Sequence, residues 1–205
     1  MKLYYAETLM PRKACAVARH LGSPVEFVRV DLGRGEHKKP GYLAINPAGR
    51  VPALVDGDYR LSESNAVMAY LALRAGSDLW PADARQVEVI RWLSWDSEHF
   101  TRHGGSLYFE HVIRPLFDLG PADAEGVRAA TSSFRQSAVI LEAHLGARDW
   151  LVGDGPTIAD FAVAIALPYA EASRIPLDAF PAIGRWHDRM NGLEGWRQPF
   201  PSEAA

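Results

Sequence analysis

Cysteine is almost missing from this chain. Cys15 stands alone among 205 residues, which excludes an internal disulfide framework, a CxxC redox pair and a cysteine zinc cluster. Long apolar runs are missing too. The longest candidate, residues 161–170, contains Pro168 and falls short of the ~18 residues a membrane span needs, so it reads as a buried helix. The opening MKLYYAETLMPRK begins as a strand and lacks the apolar core of a secretion signal. Excess positive charge is also absent: 22 Lys and Arg stand against 25 Asp and Glu, a net charge of −3, so no global basic field draws the chain to nucleic acid. Internal repeats and low-complexity tracts do not occur. The expectation left by these exclusions is a cytoplasmic protein with no nucleic acid or membrane partner, acting on something small.

What is present divides near residue 80. Glycine and proline punctuate the first part closely. KLYYA (2–6) and VEFVRV (25–30) are short β-rich runs bounded by Pro11 and by Gly22-Ser23-Pro24. Between them Ala14, Val17, Ala18 and Leu21 form a helical stripe that Gly22 stops. Two strands joined through a helix make a βαβ unit with parallel strands. VPALV (51–55) and DYRL (58–61) flank Asp56-Gly57 as a tight hairpin, and a helix follows from about Ser62 to Arg74. Beyond Pro81 the strand signals stop. Residues 84–114 carry no helix breaker except Gly104-Gly105; Val127, Phe134, Ala138, Leu141 and Leu145 make a second stripe, and further helices begin at Thr157 and near Pro181. Charge divides at the same place: residues 1–78 hold 11 Lys and Arg against 8 Asp and Glu, or +3, and the remainder is −6. The expected domains are therefore 1–78, α/β, and 85–205, all-α.

Three motifs are more specific than this architecture. NPAGRVPALVDGD (46–58), LSESNAVMAYLA (61–72) and GDGPTIADFAVA (153–164) resemble segments of the cytosolic glutathione transferase family, and the likeness extends over nearly the whole chain. It looks most like bacterial members of the serine/threonine type and unlike the cysteine-type beta class. The resemblance implies a thioredoxin-like N-terminal domain, an all-helical C-terminal domain, a homodimer, glutathione as co-substrate and no metal.

The residues themselves give each motif a physical reading. Pro52 begins a strand, where its missing N–H does least harm. In the family the bond before this proline is cis, and the bend presents the Val51 backbone to an extended peptide such as glutathione. Glu63 and Ser64 sit at a helix start, where free N–H groups and the helix dipole favour an anion. The Ser64 hydroxyl suits a carboxylate and Glu63 an ammonium, which together match a γ-glutamyl group; simple capping by Ser62 and Glu63 is the plainer alternative. Thr157 and Asp160 form a capping box, a structural feature rather than a chemical one.

A free thiol with pKa about 8.5 is only slightly ionised at neutral pH. In the family the loop after the first strand supplies the group that ionises it. Here that loop reads Ala6-Glu7-Thr8-Leu9-Met10-Pro11-Arg12-Lys13. Thr8 matches the serine/threonine position and is the expected catalytic hydroxyl; a loop threonine satisfying the backbone is the alternative. Met10 stands where the serine/threonine pattern has asparagine and the beta class has cysteine. Tyr5 is expected to point into the fold. His37, Lys38, Lys39 and Arg50 lie where family members hold the glycine carboxylate of glutathione, although such charge runs are commonly just solvated.

For the small hydrophobic electrophile the resemblance implies a site between the domains, with Met10, Glu98, His99, Phe100, His103 and Phe109 as contributors. His99 and His103 are four residues apart, the spacing of a helical metal pair, but no third ligand accompanies them. The expected activity is conjugation of the glutathione thiolate to the electrophile. Glutathione-dependent disulfide reduction or peroxide removal is the alternative, as is a non-catalytic glutathione-binding module.

Overall fold

A computed structural model describes residues 1–201. The chain forms two compact units, Met1–Pro81 together with the chain from Asn191, and Ala82–Met190.

The first unit is built on a four-stranded sheet. Strand β1 (Lys2–Tyr5) alternates as its sequence does, burying Leu3 and Tyr5. It leads through helix α1 (Leu9–His20) to strand β2 (Glu26–Arg29), which pairs parallel to β1 as the βαβ reading requires. A 3₁₀ turn (Glu36–Lys38) and the short helix α2 (Pro40–Leu43) precede strands β3 (Ala53–Asp56) and β4 (Tyr59–Ser62). Both later pairings are antiparallel, and the sheet order is β2-β1-β3-β4. The hairpin turns at Gly57-Asp58, one residue later than expected, because Asp56 still pairs with Tyr59 and Gly57 takes the positive φ of 58°. Helix α3 (Ser64–Ala75) follows and ends at Gly76. This is a thioredoxin-like α/β arrangement.

Helix α1 is buried on more than its apolar stripe: Arg12, Lys13, Cys15 and Ala16 are buried as well. The reason lies at the far end of the chain. A short helix near the C-terminus, Glu194–Arg197, packs on α1, and a β-carbon added at Gly195 would fall 2.5 Å from the His20 backbone nitrogen. The buried Arg12 guanidinium donates to the Trp196 carbonyl at 2.7 Å. The described residues from Asn191 onward thus group with the α/β unit, not with the all-α domain of 85–205 that the sequence predicts.

The second unit is all-α. Helix α4 (Arg85–Trp95), a π turn (Asp96–Phe100), α5 (Thr101–Tyr108), a second π turn (Phe109–Ile113) and α6 (Arg114–Leu116) form one helical run. The first π turn has a local cause: Asp96 is fully buried and accepts from the Thr101 amide (3.2 Å) and hydroxyl (2.6 Å), which widens the turn. Gly104 lets α5 approach residues 164–169, since a β-carbon there would meet Ala166 at 3.1 Å. Helices α7 (Ala124–Leu145), α8 (Ile158–Val163) and α9 (Pro181–Asn191) complete the unit. The expected stripe of α7 is mostly inside, with Phe134, Ala138, Leu141 and Leu145 buried, and on α9 Ile183, Trp186 and Met190 are buried too. The short C-terminal helix already described is α10. Among the described residues no helix is long and apolar enough to cross a membrane.

Candidate active site

Three backbone features of the first unit converge on one groove. The first is the loop before β3. The Val51–Pro52 bond is cis, and the preceding carbonyl, that of Arg50, accepts from the Tyr42 hydroxyl at 2.6 Å and the Asn46 amide at 2.7 Å. Asn46 also accepts from the Ala48 amide at 3.1 Å. Gly49 closes the loop at φ 58°, close enough to the His37 carbonyl that a β-carbon would lie 2.9 Å from it. Lys38 Nζ donates to the Gly49 carbonyl at 3.3 Å. The loop is thus fixed from behind, and the Val51 backbone is delivered to the groove in one conformation.

The second feature is the start of α3. Glu63 sits at φ 68°, ψ 119°, a costly position for a residue with a β-carbon, and no side chain caps the helix. Ser62 does not fill that role, so the plain capping alternative is not what the fold uses. The first-turn amides and the positive end of the dipole therefore have no side-chain cap. Ser64 is only 8% exposed, and its hydroxyl donates to the Met10 sulfur at 3.9 Å.

The third is the start of α1. Thr8 is its N-cap by backbone conformation, yet its hydroxyl makes no capping hydrogen bond. Tyr5 is buried and stacks on Phe200 at 5.7 Å, so it is a core residue. Cys15 is fully buried, and burial pushes its thiol pKa far up, which leaves it inert.

These features line two openings that share residues. One, of about 360 Å³, is bounded by Thr8, Met10, Leu32, His37, Lys38, Gly49, Arg50 and Val51. The other, of about 180 Å³, is bounded by Met10, Asn46, Arg50, Val51, Pro52, Glu63 and Ser64. Met10, Arg50 and Val51 belong to both. Thr8, His37, Lys38, Arg50, Val51, Pro52, Glu63 and Ser64, read from the sequence as one site, therefore line one groove. Lys39 is not among its lining residues and pairs with Glu36 at 3.8 Å.

The residues expected at the electrophile site in the second unit behave differently from one another. His99 and Phe109 are exposed, the latter at 41%, and each sits in a π turn. Glu98 is exposed and pairs with Arg102 at 3.2 Å. His103 lines a cavity of about 300 Å³ with Ser106, Glu110 and residues of α7, and burial, Arg102 and His99 lower its pKa. Phe100 requires a correction. It is completely buried, 4.6 Å from Phe134 and stacked on Trp95 at 5.8 Å, so it is core and cannot line a ligand surface. Among the described residues no group of three or more His, Cys, Asp or Glu is arranged to hold a metal.

Comparison with known proteins decides the family. The sequence model of the glutathione S-transferase N-terminal domain matches residues 1–73, and that of the C-terminal domain matches residues 114–194. Glutathione S-transferase 3 of Zea mays is 37% identical over 195 residues, covering 91% of this chain and 87% of that protein. The chain belongs to the glutathione S-transferase family. Glutathione S-transferase F9 of Arabidopsis thaliana is 33% identical, covering 97% of this chain and 95% of that protein. The solved structure of glutathione S-transferase III in its apo form superposes with a TM-score of 0.85 at 32% identity, covering 99% of both chains. A possible glutathione S-transferase from Rhodopseudomonas palustris gives 0.82 at 28% identity, covering 95% of both.

Within this glutathione S-transferase fold, sequence reasoning missed the residues that act from behind. Tyr42 and Asn46 hold the Arg50 carbonyl without lining the larger opening, and Gly49 permits the close turn. The signal for Asn46 and Gly49 lies inside the NPAGR segment. Tyr42 had none, because a tyrosine in a short helix says nothing of what its hydroxyl reaches.

Proposed function

We propose that this chain binds glutathione in the groove of its first unit, ionises the thiol with Thr8, and transfers the thiolate to small hydrophobic electrophiles. The observation that carries this reading is the meeting of two uncapped helix starts in one groove: α1 offers the Thr8 hydroxyl and α3 offers Ser64. The γ-glutamyl carboxylate lies on the first-turn amides of α3 and the Ser64 hydroxyl, and Glu63 accepts from its ammonium. The cysteinyl backbone pairs with Val51 as an added strand. His37, Lys38 and Arg50 offer positive and donor groups to the glycine carboxylate.

Bound this way, the thiol lies beside Thr8. A hydroxyl donating to a thiolate supplies roughly 1.5–3 kcal/mol, and two pKa units correspond to about 2.7 kcal/mol, so one donor nearly suffices to ionise it at neutral pH. The thiolate attacks the electrophilic carbon and the leaving group departs, or a conjugated double bond takes up the charge. Met10, which lines the groove, is the contact we assign to the electrophile. This is a serine/threonine-type member in our reading. A bacterial placement is supported by the likeness to the Rhodopseudomonas palustris structure, and a cytoplasmic homodimer by family resemblance.

Met10 favours a second reading. A thioether replaces the asparagine of the family pattern beside Thr8, which removes a donor from the thiol's surroundings and suits attack on disulfide sulfur or peroxide oxygen. A glutathione-dependent activity panel over aryl halides, disulfides and hydroperoxides separates the two. Turnover of an aryl halide supports conjugation; turnover confined to the other two transfers the assignment. Titration calorimetry showing no glutathione binding overturns both.

A further inference from the structure

Four methionines occur in the sequence, and they sit in contrasting places. Met68 in α3 and Met190 in α9 are completely buried. Met1 lies at the chain start and lines neither opening of the groove. Met10 lines both, at their junction, and its sulfur accepts the Ser64 hydroxyl at 3.9 Å. The described structure therefore contains one thioether that a ligand-sized molecule meets in the groove, and it touches the residue we assign to the γ-glutamyl carboxylate.

We infer that Met10 is an oxidation site through which hydroperoxides weaken glutathione binding, a proposal that rests on the groove being the glutathione site. The chemistry balances without a further reactant. A thioether lone pair attacks the terminal peroxide oxygen, the S–O bond forms as the O–O bond breaks, and the alkoxide takes up the hydroperoxide proton to leave as an alcohol. Sulfur is oxidised by two electrons and the peroxide is reduced by two. The product differs from the thioether in the property that matters here. A sulfoxide oxygen is a strong acceptor, whereas thioether sulfur is a weak one. Built on the Met10 sulfur, it takes the Ser64 hydroxyl away from a ligand carboxylate and adds a partial negative charge where an anion is to bind. Methionine sulfoxide is reducible by dedicated reductases, so the change is reversible. Cys15 does not compete for the oxidant, being fully buried with its thiol held protonated.

The test uses the full chain, cumene hydroperoxide as oxidant and S-methylglutathione as ligand, because the latter has no thiol to consume peroxide. Peptide mass mapping is expected to find a gain of one oxygen at Met10 well before Met68 or Met190, and slower when S-methylglutathione is present. Calorimetry is expected to show the Kd for S-methylglutathione rising about tenfold after oxidation and recovering after treatment with methionine sulfoxide reductase. In Met10→Leu the Kd should be the same before and after peroxide. Oxidation of Met10 no faster than that of the buried methionines overturns the inference, as does an unchanged Kd after its oxidation. If the unoxidised protein does not bind S-methylglutathione at all, the proposed function fails, and with it the effect on binding. Binding that is indifferent to a mapped sulfoxide overturns this inference alone.

Discussion

Two helix starts in this chain solve the same problem in opposite ways. At α8 the Thr157 hydroxyl accepts from the Ala159 amide at 3.3 Å, and the Asp160 carboxylate accepts from the Thr157 amide at 2.8 Å. The chain closes that helix with its own side chains. At α3 no side chain caps the first turn, and the backbone enters through a strained Glu63. The contrast separates fold from function. A helix start satisfied from within stabilises the unit that contains it. One left open stabilises little by itself, and in the function we propose it serves to bind an anion. A further difference sharpens this. Asp160 is completely buried and also accepts from the Leu151 amide at 3.0 Å and the Trp186 indole at 2.9 Å, so the closed cap doubles as an organiser of its surroundings. Ser64, at the open start, has only the weak contact with Met10.

Breaking the closed start should have the largest effect, and it should be an effect on stability. Asp160→Ala strands the Thr157 and Leu151 amides and the Trp186 indole in a buried site, at a cost of about 3–5 kcal/mol, read as a lower urea midpoint with the slope unchanged. The same carboxylate makes a pH prediction. Burial raises its pKa from 3.8 to about 6, so between about pH 4 and 6 the folded state holds a proton that the unfolded state has released. Asp160 therefore adds stability as pH falls through 6, complete below 4, and that contribution is lost as pH rises. The stability gap between the parent and Asp160→Asn should widen as pH is lowered from 7 to 4. A gap that narrows or stays constant contradicts the sign.

The next effect falls on chemistry. Thr8 sits at the other open start, and its hydroxyl is not used by α1. Thr8→Val keeps the shape and removes the donor. The bound thiol's pKa should rise by about two units, from about 6.5 to about 8.5, followed by thiolate absorbance, and kcat/KM at pH 7 should fall about 25-fold with the thiolate fraction, or about 1.9 kcal/mol. The urea midpoint should hardly move, since no folded-state hydrogen bond is lost. An unchanged titration removes Thr8 from the mechanism and transfers the role to a backbone amide or another donor.

The two starts also differed in how far they could be read in advance. The capping box at Thr157 and Asp160 is local: both residues and their spacing are in one short segment. So are the βαβ unit, the hairpin and the Val51-Pro52 and Glu63-Ser64 pairs. What stayed hidden depends on distant or cumulative geometry. No residue near Gly195 announces that α10 returns to α1, because a glycine chosen for backbone approach looks like any loop glycine. The resemblance puts Phe100 at a ligand surface because it lies in the first half of the long helical run, and that position alone does not say which way a side chain faces. The buried Asp96 inserts a wider turn there, which changes the faces of the residues that follow. The tether from Tyr42 and Asn46 to the Arg50 carbonyl is equally invisible, since side-chain to backbone bonds leave no period in a sequence.

The smallest effect isolates the open start itself. Ser64→Ala deletes one hydroxyl from a site that also offers the first-turn amides and the helix dipole, so glutathione binding should weaken only about tenfold, near 1.4 kcal/mol. Because the carboxylate we propose for it is remote from sulfur, the interaction should be the same before and during thiolate attack. It should therefore appear in KM and in calorimetric Kd, with kcat nearly unchanged. Stability should also be nearly unchanged, because the hydroxyl's described partner is a thioether at 3.9 Å. That outcome would be the mirror image of Asp160→Ala, which should lower stability whether or not glutathione is present. A selective loss of kcat in Ser64→Ala would mean that the open start contributes to ionising the thiol and is not simply an anchor. A loss of stability approaching that of the capping-box variants would mean that α3 relies on Ser64 for its own closure, and the distinction between a start that serves the fold and one that serves a ligand would fall.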